Sequence, residues 1–286
     1  MDKHSKDIER QPGFFTIDVE DYYHIIGVSG TPPVKSWDNI PSRVDKGLRA
    51  LFELLDRHQT KATLFFLGYV ARRHPELVRE ALSLGHELAS HGMYHREVRL
   101  QEQDEFYLDA TESKKLLEDI GGVEVIGWRS AGFSINRSTP WFFEKLIEAG
   151  YKYDSSIVPN RMSHNSLLNA EPTPFPIHTD NGKILEFPIG VADLPGSKIS
   201  MFGGGYLRFF PKGLIKQMAE ATLAKRPLLI YIHPRELDPR HPRIEMNALR
   251  KLKSYINMSS VPDKLDTLLN LTDYTTLGAY YARYGN

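Results

Sequence analysis

The chain has 286 residues, 41% hydrophobic and 25% charged, which is enough for a large core in an ordinary soluble globular protein. Lysine plus arginine and aspartate plus glutamate number 36 each, so no overall basic excess exists to hold nucleic acid or an anionic membrane surface. The absence of cysteine excludes disulfides, thiolate ligands and a cysteine nucleophile, so any bound metal must be held through nitrogen and oxygen.

Residues 1–12 are polar and charged, lack the apolar segment of a signal peptide, and are expected to form a flexible N-terminus. Residues 13–286 are expected to make one domain with a C-terminal extension. No apolar run reaches the roughly 18 residues of a membrane span, which favours the cytoplasm or the inner face of its membrane.

The run from Phe14 to Val19 predicts a buried first strand. Ser42-Arg43-Val44-Asp45 resembles a capping box, after which Val44, Leu48, Leu51 and Leu55 recur at helical spacing as far as His58. A second strand is predicted over Ala62 to Leu67, then a helix from Tyr69 to Leu84 with Gly85 just beyond its end. The alternation continues with a strand near His86 to Ala89, a helix over Asp104 to Asp119, a strand at Val123 to Trp128 and a helix from Pro140 to Ala149. Asn160 to Gly182 is rich in Pro, Asn, Ser and His and predicts a long surface loop. Strands near Ile184 to Ile189 and Leu228 to Ile232, a helix near Lys212 to Lys225 and an amphipathic stretch from Glu245 to Asn257 complete the reading. Such alternation predicts an α/β fold, a distorted or incomplete (β/α) barrel of about seven parallel strands in a single domain.

Chemistry-bearing residues gather at the predicted strand ends, where α/β folds place their sites. Asp18, Glu20 and Asp21 close the first strand, and alternation puts Asp18 and Glu20 on one side, where two like charges repel unless a cation lies between them. His91 and His95 are four apart, and on a helical turn both imidazoles would share a face, roughly 5–6 Å apart at Cβ, and could grip one metal ion. Arg129 follows the strand ending at Trp128 and offers a bidentate donor that would orient a carboxylate and keep it ionised. His233 ends the Leu228 strand, where an acid/base role is expected.

These pieces resemble, over nearly the whole length, the polysaccharide deacetylase family, also called carbohydrate esterase family 4 or NodB-homology proteins. The resemblance rests on Asp18 with Glu20 or Asp21, on His91-x-x-x-His95, on Arg129, and on His233-Pro234. Three further stretches, Phe15 to His24, Gly203 to Arg208 and His233 to Asp238, are similar to a bacterial subgroup tied to exopolysaccharide and surface-glycan synthesis. Two positions depart from the pattern: Ala131 replaces the proline expected after Arg129, and Arg235 stands where an aromatic is usual.

The resemblance implies a metal-dependent hydrolase that removes the acetyl group from an N-acetylated sugar of a surface glycan or its precursor. By that analogy His91, His95 and Glu20, with Asp21 as the alternative, hold one divalent ion, zinc by ligand type, or cobalt, nickel or manganese. Asp18, held by Arg129, would be the general base and His233 the acid, with a backbone N–H near Tyr94 at the oxyanion. Tyr94, Trp128, Tyr206 and Phe133 are candidates to stack on sugar rings. The rival readings are a metal-independent hydrolase of a small amide, similar to allantoinase, and a glycan-binding protein with a dead site. Neither a membrane span nor nucleic acid is implied, and the sequence does not address oligomeric state.

Overall fold

In the computed structural model, which describes residues 11–159 and 170–285, the hydrophobic strand β1 (Gly13–Val19) is buried along its whole length. Its alternation divides the molecule. Phe15, Ile17 and Val19 enter the core beneath the helices, whereas Phe14, Thr16 and Asp18 face the opposite side of the sheet. The amphipathic helix α1 (Val44–Arg57) then returns the chain to β2 (Thr63–Phe66), which lies parallel to β1 with Asp18 opposite Phe65. Next come α2 (Gly68–Arg73), α3 (Pro75–Ser83) and β3 (Glu87–Ser90). The single helix expected from Tyr69 to Leu84 is thus two, because Pro75 starts a new helix at His74 instead of continuing the old one.

The long helix α4 (Gln103–Gly121) leads to β4 (Gly127–Trp128), shorter than the Val123 to Trp128 strand expected, and α5 (Phe142–Glu148) leads to β5 (Tyr153–Asp154). The expected loop from Asn160 to Gly182 is corrected in part. Residues 160–169 lie outside the described residues, but the remainder enters an antiparallel hairpin of β6 (Phe175–Thr179) and β7 (Gly182–Glu186), with Thr179 paired to Gly182 across Asp180-Asn181. Pro174 and Pro176 disguise the strand; β6 tolerates a proline because it is the outermost strand.

A small ribbon of β8 (Ala192–Leu194) and β9 (Ser197–Ile199) precedes α6 (Gly204–Phe209), α7 (Lys212–Leu223) and β10 (Leu228–Ile232). The chain ends through α8 (Ala248–Tyr255), α9 (Val261–Leu269), β11 (Tyr274–Thr275) and α10 (Leu277–Tyr284). The main sheet runs β10-β1-β2-β3-β4-β5-β7-β6, its first seven members parallel, and β11 pairs with the first two residues of β1. It is an incomplete (β/α) barrel, a curled half-barrel in a single domain.

The inner face of the curl is filled at one end by Phe14, Phe65, Ala89, Tyr153, Phe187, Leu229 and Leu277. Glu87 helps close that end, accepting hydrogen bonds from Thr63 Oγ1 at 2.6 Å, Tyr153 Oη at 2.7 Å and Gly278 N at 2.9 Å. The other end, beyond the C-termini of the strands, is polar. Among the described residues no helix is long and apolar enough to cross a membrane.

The helix layer also sets the height of His233. Pro234 begins the short 3-10 turn Pro234–Leu237 after β10, and α1 lies so close to it that a Cβ at Gly47 would collide with the Pro234 backbone. Gly47→Ala is therefore expected to lower stability by about 1–3 kcal/mol through overpacking. Urea unfolding of the variant measures this, and an unchanged midpoint would show that α1 and the turn are free to separate.

Candidate active site

The polar end of the barrel is assembled from strand ends. Asp18 closes β1 and Glu20 follows after a tight turn in which Glu20 N donates to Asp18 O at 3.0 Å. His91 follows β3, and its N–H continues the ladder to Phe66 O at 2.9 Å. Arg129 follows β4 with its own N–H on Ser90 O at 2.9 Å, which places His91 and Arg129 side by side. His233 follows β10, the neighbour of β1 on the other side.

The segment from His91 to His95 is not the helical turn expected from its spacing. It is a loop in which Gly92 and His95 take positive φ of 76° and 52°. The loop is clamped from two sides: Gly68 N and Tyr69 N at the start of α2 donate to the carbonyls of Gly92 and Met93 at 2.8 and 3.0 Å, and Asp109 of α4 accepts from Met93 N at 3.1 Å. Only glycine fits at position 92, where a Cβ would come 2.6 Å from Asp109 Oδ2. These contacts bring the two imidazole centroids to 5.0 Å, a convergence that the spacing alone suggested for a different reason.

Glu20, His91 and His95 each direct one ligand atom into a common space, all within 4.8 Å of one another. His91 Nδ1 lies 2.8 Å from Arg129 O and His95 Nδ1 lies 2.8 Å from His24 O. A carbonyl oxygen only accepts, so each Nδ1 carries the proton and each neutral ring presents a bare Nε2. His95 Nε2 is 2.8 Å from Glu20 Oε2, and that buried oxygen has no hydrogen-bonded partner among the described residues. Two lone pairs facing each other at this distance require a proton or a metal cation between them. Burial by itself lowers the basicity of His95, but the Glu20 carboxylate reverses this and raises its pKa. For Glu20 burial acts upward, and His95 outweighs it to hold the carboxylate well below its usual range. His91, mainly through burial, is pushed down to about 4 and is neutral at physiological pH. This donor set, two imidazole nitrogens and a carboxylate oxygen, fits a divalent cation with positions left open.

Asp18 stands beside this cluster. Its Oδ1 accepts from Arg129 Nη1 at 2.7 Å, and Arg129, with no exposed surface, also donates to Thr16 Oγ1 at 2.9 Å, Ser155 O at 3.0 Å and Ser155 Oγ at 2.8 Å. The guanidinium lies 4.1 Å above the centre of the Phe65 ring. Burial raises the pKa of Asp18, and Arg129, aided by His91 and His233, more than offsets this, so its carboxyl is ionised below the ordinary range. His233 Nε2 lies 3.9 Å from Asp18 Oδ2 and 3.7 Å from Glu20 Oε1, while its Nδ1 is 3.7 Å from Glu236 Oε1.

Several expectations need correction. Asp21 points away from the cluster: its carboxylate accepts from Tyr22 N at 3.0 Å, from Ser42 Oγ and from Arg43 N at 3.1 Å. It therefore holds the start of α1 and has no place among the convergent ligand atoms, which leaves Glu20. The expected capping box at Ser42 is not formed for the same reason, since the Ser42 hydroxyl is spent on Asp21 and Arg43 caps without its side chain. Trp128 is buried, edge-on to Phe106 and Tyr151, and is a core residue rather than a sugar platform. The ring of Tyr94 lies outside the lining of the cleft, with Arg72 over it at 6.0 Å, and the N–H of its neighbour Met93 is taken by Asp109. Tyr206 and Phe133 do line the cleft, which has a volume of about 630 Å³.

Sequence reasoning gave no role to Arg208 and Glu236, although both lie in stretches singled out for their resemblance. They form a buried ion pair beside His233. Burial pushes Glu236 up, but Arg208 and His233 bring it down to about 2. Ser155 was missed as well. Its hydroxyl donates to Phe187 O at 2.8 Å, and the two residues after it are fixed by Asp154 and Glu186, neighbours on β5 and β7: Ser156 Oγ donates to Asp154 at 2.7 Å and Ile157 N to Glu186 at 2.9 Å.

Burial raises both Asp154, to about 6, and Glu186, so together they retain a proton that the unfolded chain loses near the usual carboxylate value of about 3.9. Their contribution to stability is full below that unfolded value and is lost as pH rises through the folded one. Asp154→Asn removes the ionisation and keeps one of the two acceptor oxygens that Ser156 uses. It should flatten the fall in unfolding free energy between about pH 4 and about pH 7 by a few kcal/mol. Denaturation curves across that range test this, and an unaltered slope would place the retained proton elsewhere.

Residues 34–153 match the model of the family described as polysaccharide deacetylase, and residues 155–282 match that of DUF3473, a domain of unknown function. Asp18 and Glu20 precede the first match, and His233 falls in the second. Similar proteins include a peptidoglycan-N-acetylglucosamine deacetylase of Bacillus cereus, 30% identical over 102 residues, which are 36% of this chain and 46% of that protein. A peptidoglycan deacetylase of Helicobacter pylori is 25% identical over 117 residues, 40% of this chain and 38% of that protein. The chain thus matches less than half the length of these curated relatives. Among solved structures, that of a proposed polysaccharide deacetylase from Mycobacterium smegmatis superposes with a TM-score of 0.64 at 18% identity, over 97% of this chain and 91% of that one. Puue allantoinase superposes at 0.62 with 15% identity, over 99% and 94%, and at these identities both likenesses speak to the fold alone. The parallel half-barrel and the two matches together establish that this chain carries a polysaccharide deacetylase family domain over residues 34–153, joined to a DUF3473 region over residues 155–282.

Proposed function

We propose that this chain is a metal-dependent hydrolase that removes the N-acetyl group from an N-acetylated sugar of a bacterial surface glycan or its precursor. The observation that carries this reading is the convergence of Glu20, His91 and His95, each His with its Nδ1 on a carbonyl, beside an Asp18 ionised by Arg129. The relatives' names, which specify deacetylation of peptidoglycan N-acetylglucosamine, support the choice of bond. A metal-free amide hydrolase has no comparable use for three ligand atoms buried around one space.

Glu20 Oε2, His91 Nε2 and His95 Nε2 would hold the ion, and N/O donors of this kind suit zinc, with cobalt, nickel or manganese as alternatives. When bound, such an ion supplies a Lewis acid for the acetyl carbonyl and acidifies water. Asp18 takes a proton from the attacking water through Oδ2, the oxygen not engaged by Arg129. His233, within 3.9 Å of that oxygen and backed by Glu236, donates its proton to the departing amine as the C–N bond breaks. Arg129 keeps Asp18 in its carboxylate form, and Arg208 does the same for Glu236. Tyr206, at the exposed rim, is the aromatic best placed to meet a sugar ring.

Asp18→Asn should keep its metal and lose turnover by about 10²- to 10⁴-fold, a barrier increase on the order of 3–5 kcal/mol. Acetate release together with metal analysis of the same sample decides it, and near-normal turnover would remove Asp18 as the base. His95→Ala is expected to leave the protein without stoichiometric metal after purification, as read by plasma mass spectrometry. Full occupancy in that variant would take His95 out of the ligand set. Chelation of the unaltered protein should abolish acetate release, and added zinc or cobalt should restore it.

A further inference from the structure

Four of the large apolar side chains left exposed, Tyr206, Phe209, Leu249 and Leu252, line the same cleft as Asp18, Glu20, His91 and His95, at exposures of 46, 61, 64 and 58%. They come from α6 and α8. Helix α8 is unusual in having no buried residue, so its leucines, three apart and on one face, support no core of this chain. Residues 246–256 around it carry Arg250, Lys251 and Lys253 and no acid. Arg235, Arg250 and Lys253 all line the cleft, and none forms an ion pair among the described residues; Arg250 makes only a weak 3.4 Å contact with Ile26 O.

Past Ile26, Gly132 and Arg250, which border both spaces, the cleft continues into a groove of about 910 Å³ walled by Glu97, Arg99, Asn136 and Asn247. Donors and acceptors of that kind suit sugar hydroxyls. The reacting centre thus adjoins a polar groove and an apolar wall, with unpaired cations beside both. A fully hydrated glycan would leave the leucines exposed, and a nucleotide would use the cations and aromatics but not Leu249 and Leu252. An aliphatic chain joined to sugar through phosphate satisfies all three: its chain covers Phe209, Leu249 and Leu252, its anion meets Arg250 and Lys253, and its sugar lies by Tyr206 at the reacting centre, with the polar groove open to further sugar units.

We propose that the α6–α8 wall seats the aliphatic chain of a lipid phosphate, and that the sugar to be deacetylated is carried on that lipid. This assignment of substrate class rests on the deacetylase reading above. It is tested by calorimetric binding to the full chain of dodecyl phosphate, below its micelle-forming concentration, with inorganic phosphate and dodecanol as probes that carry the anion or the chain alone. Dodecyl phosphate should bind at least about tenfold more tightly than either. The double variants Leu249→Glu/Leu252→Glu and Arg250→Glu/Lys253→Glu should each weaken it by about tenfold or more. All four positions are exposed, and an unchanged denaturation midpoint confirms that the variants fold. Equal binding of inorganic phosphate would overturn the lipid in favour of a phosphorylated or nucleotide-linked sugar. Equal binding of dodecanol, or undiminished binding by the leucine variant, would overturn it too. Because heat is read without turnover, lack of acetate release would count against the deacetylase reading, whereas lack of binding would count against this one.

Discussion

The buried guanidinium of Arg129 is the constraint on which the polar half of the molecule depends. A cation with no exposed surface is sustained only if its donors are paired, and here Asp18, Thr16 and both oxygens of Ser155 pair them. In doing so it ties the end of β1 to the segment after β5 across the barrel interior. Its backbone carbonyl meanwhile receives Nδ1 of His91 and so orients the ring. One residue thereby sets the ionisation of the proposed base with its side chain and the tautomer of a proposed ligand with its main chain. The Phe65 ring beneath it separates this layer from the apolar plug at the other end of the curl.

Around that anchor the site is made rigid by groups that do no chemistry of their own. Asp109 holds the loop between the two histidines, Asp154 and Glu186 hold Ser156 and Ile157 next to the Ser155 that Arg129 uses, and Asp21 holds the start of α1, which in turn packs on the turn after His233. All four carboxyls are buried deeply enough that their pKa values are raised, a cost that the amides and hydroxyls they accept from only partly offset. The opposite holds for Asp18, Glu20 and Glu236, each brought below its ordinary range by a neighbouring cation or imidazole. Buried carboxyls are thus sorted by whether a charged donor faces them, and those facing one are gathered at the mouth of the barrel. Glu20 Oε2, buried there with no hydrogen-bonded partner among the described residues, marks the place where a further group would complete the set.

Much of this was legible in the chain because parallel strands buried on both faces leave apolar runs. The runs from Phe14 and Leu228 fall on β1 and β10, and the helix after Val44 begins and ends within a residue of its expected bounds. Less was legible wherever a local rule met a tertiary partner. Pro174 and Pro176 made β6 look like loop because the edge position that excuses a proline is a property of the sheet. Ser42 looked like a helix cap, yet a carboxylate 21 residues upstream claims its hydroxyl. Trp128 looked like a platform because strand ends attract function, but α4 and Tyr151 enclose it.

The same division runs through the candidate site. The amino-acid sequence by itself determined which residues could do chemistry, because acids and histidines at the ends of apolar strands are costly enough to need a reason, and their order along the chain resembled one family. It also determined that Asp18 and Glu20 share a side of the strand, since that follows from the two-residue period of the backbone. Only the tertiary structure put Glu20, and not Asp21, beside His91 and His95, because the amide of Arg43 captures the Asp21 carboxylate. Only it brought His91 and His95 together through positive φ and clamps from α2 and α4, and only it paired Arg208 with Glu236 behind His233. The physical reason is common to all of these: periodicity is local and can be read along one strand, whereas the direction of a buried polar group is set by whichever partner, however distant in the chain, satisfies it first.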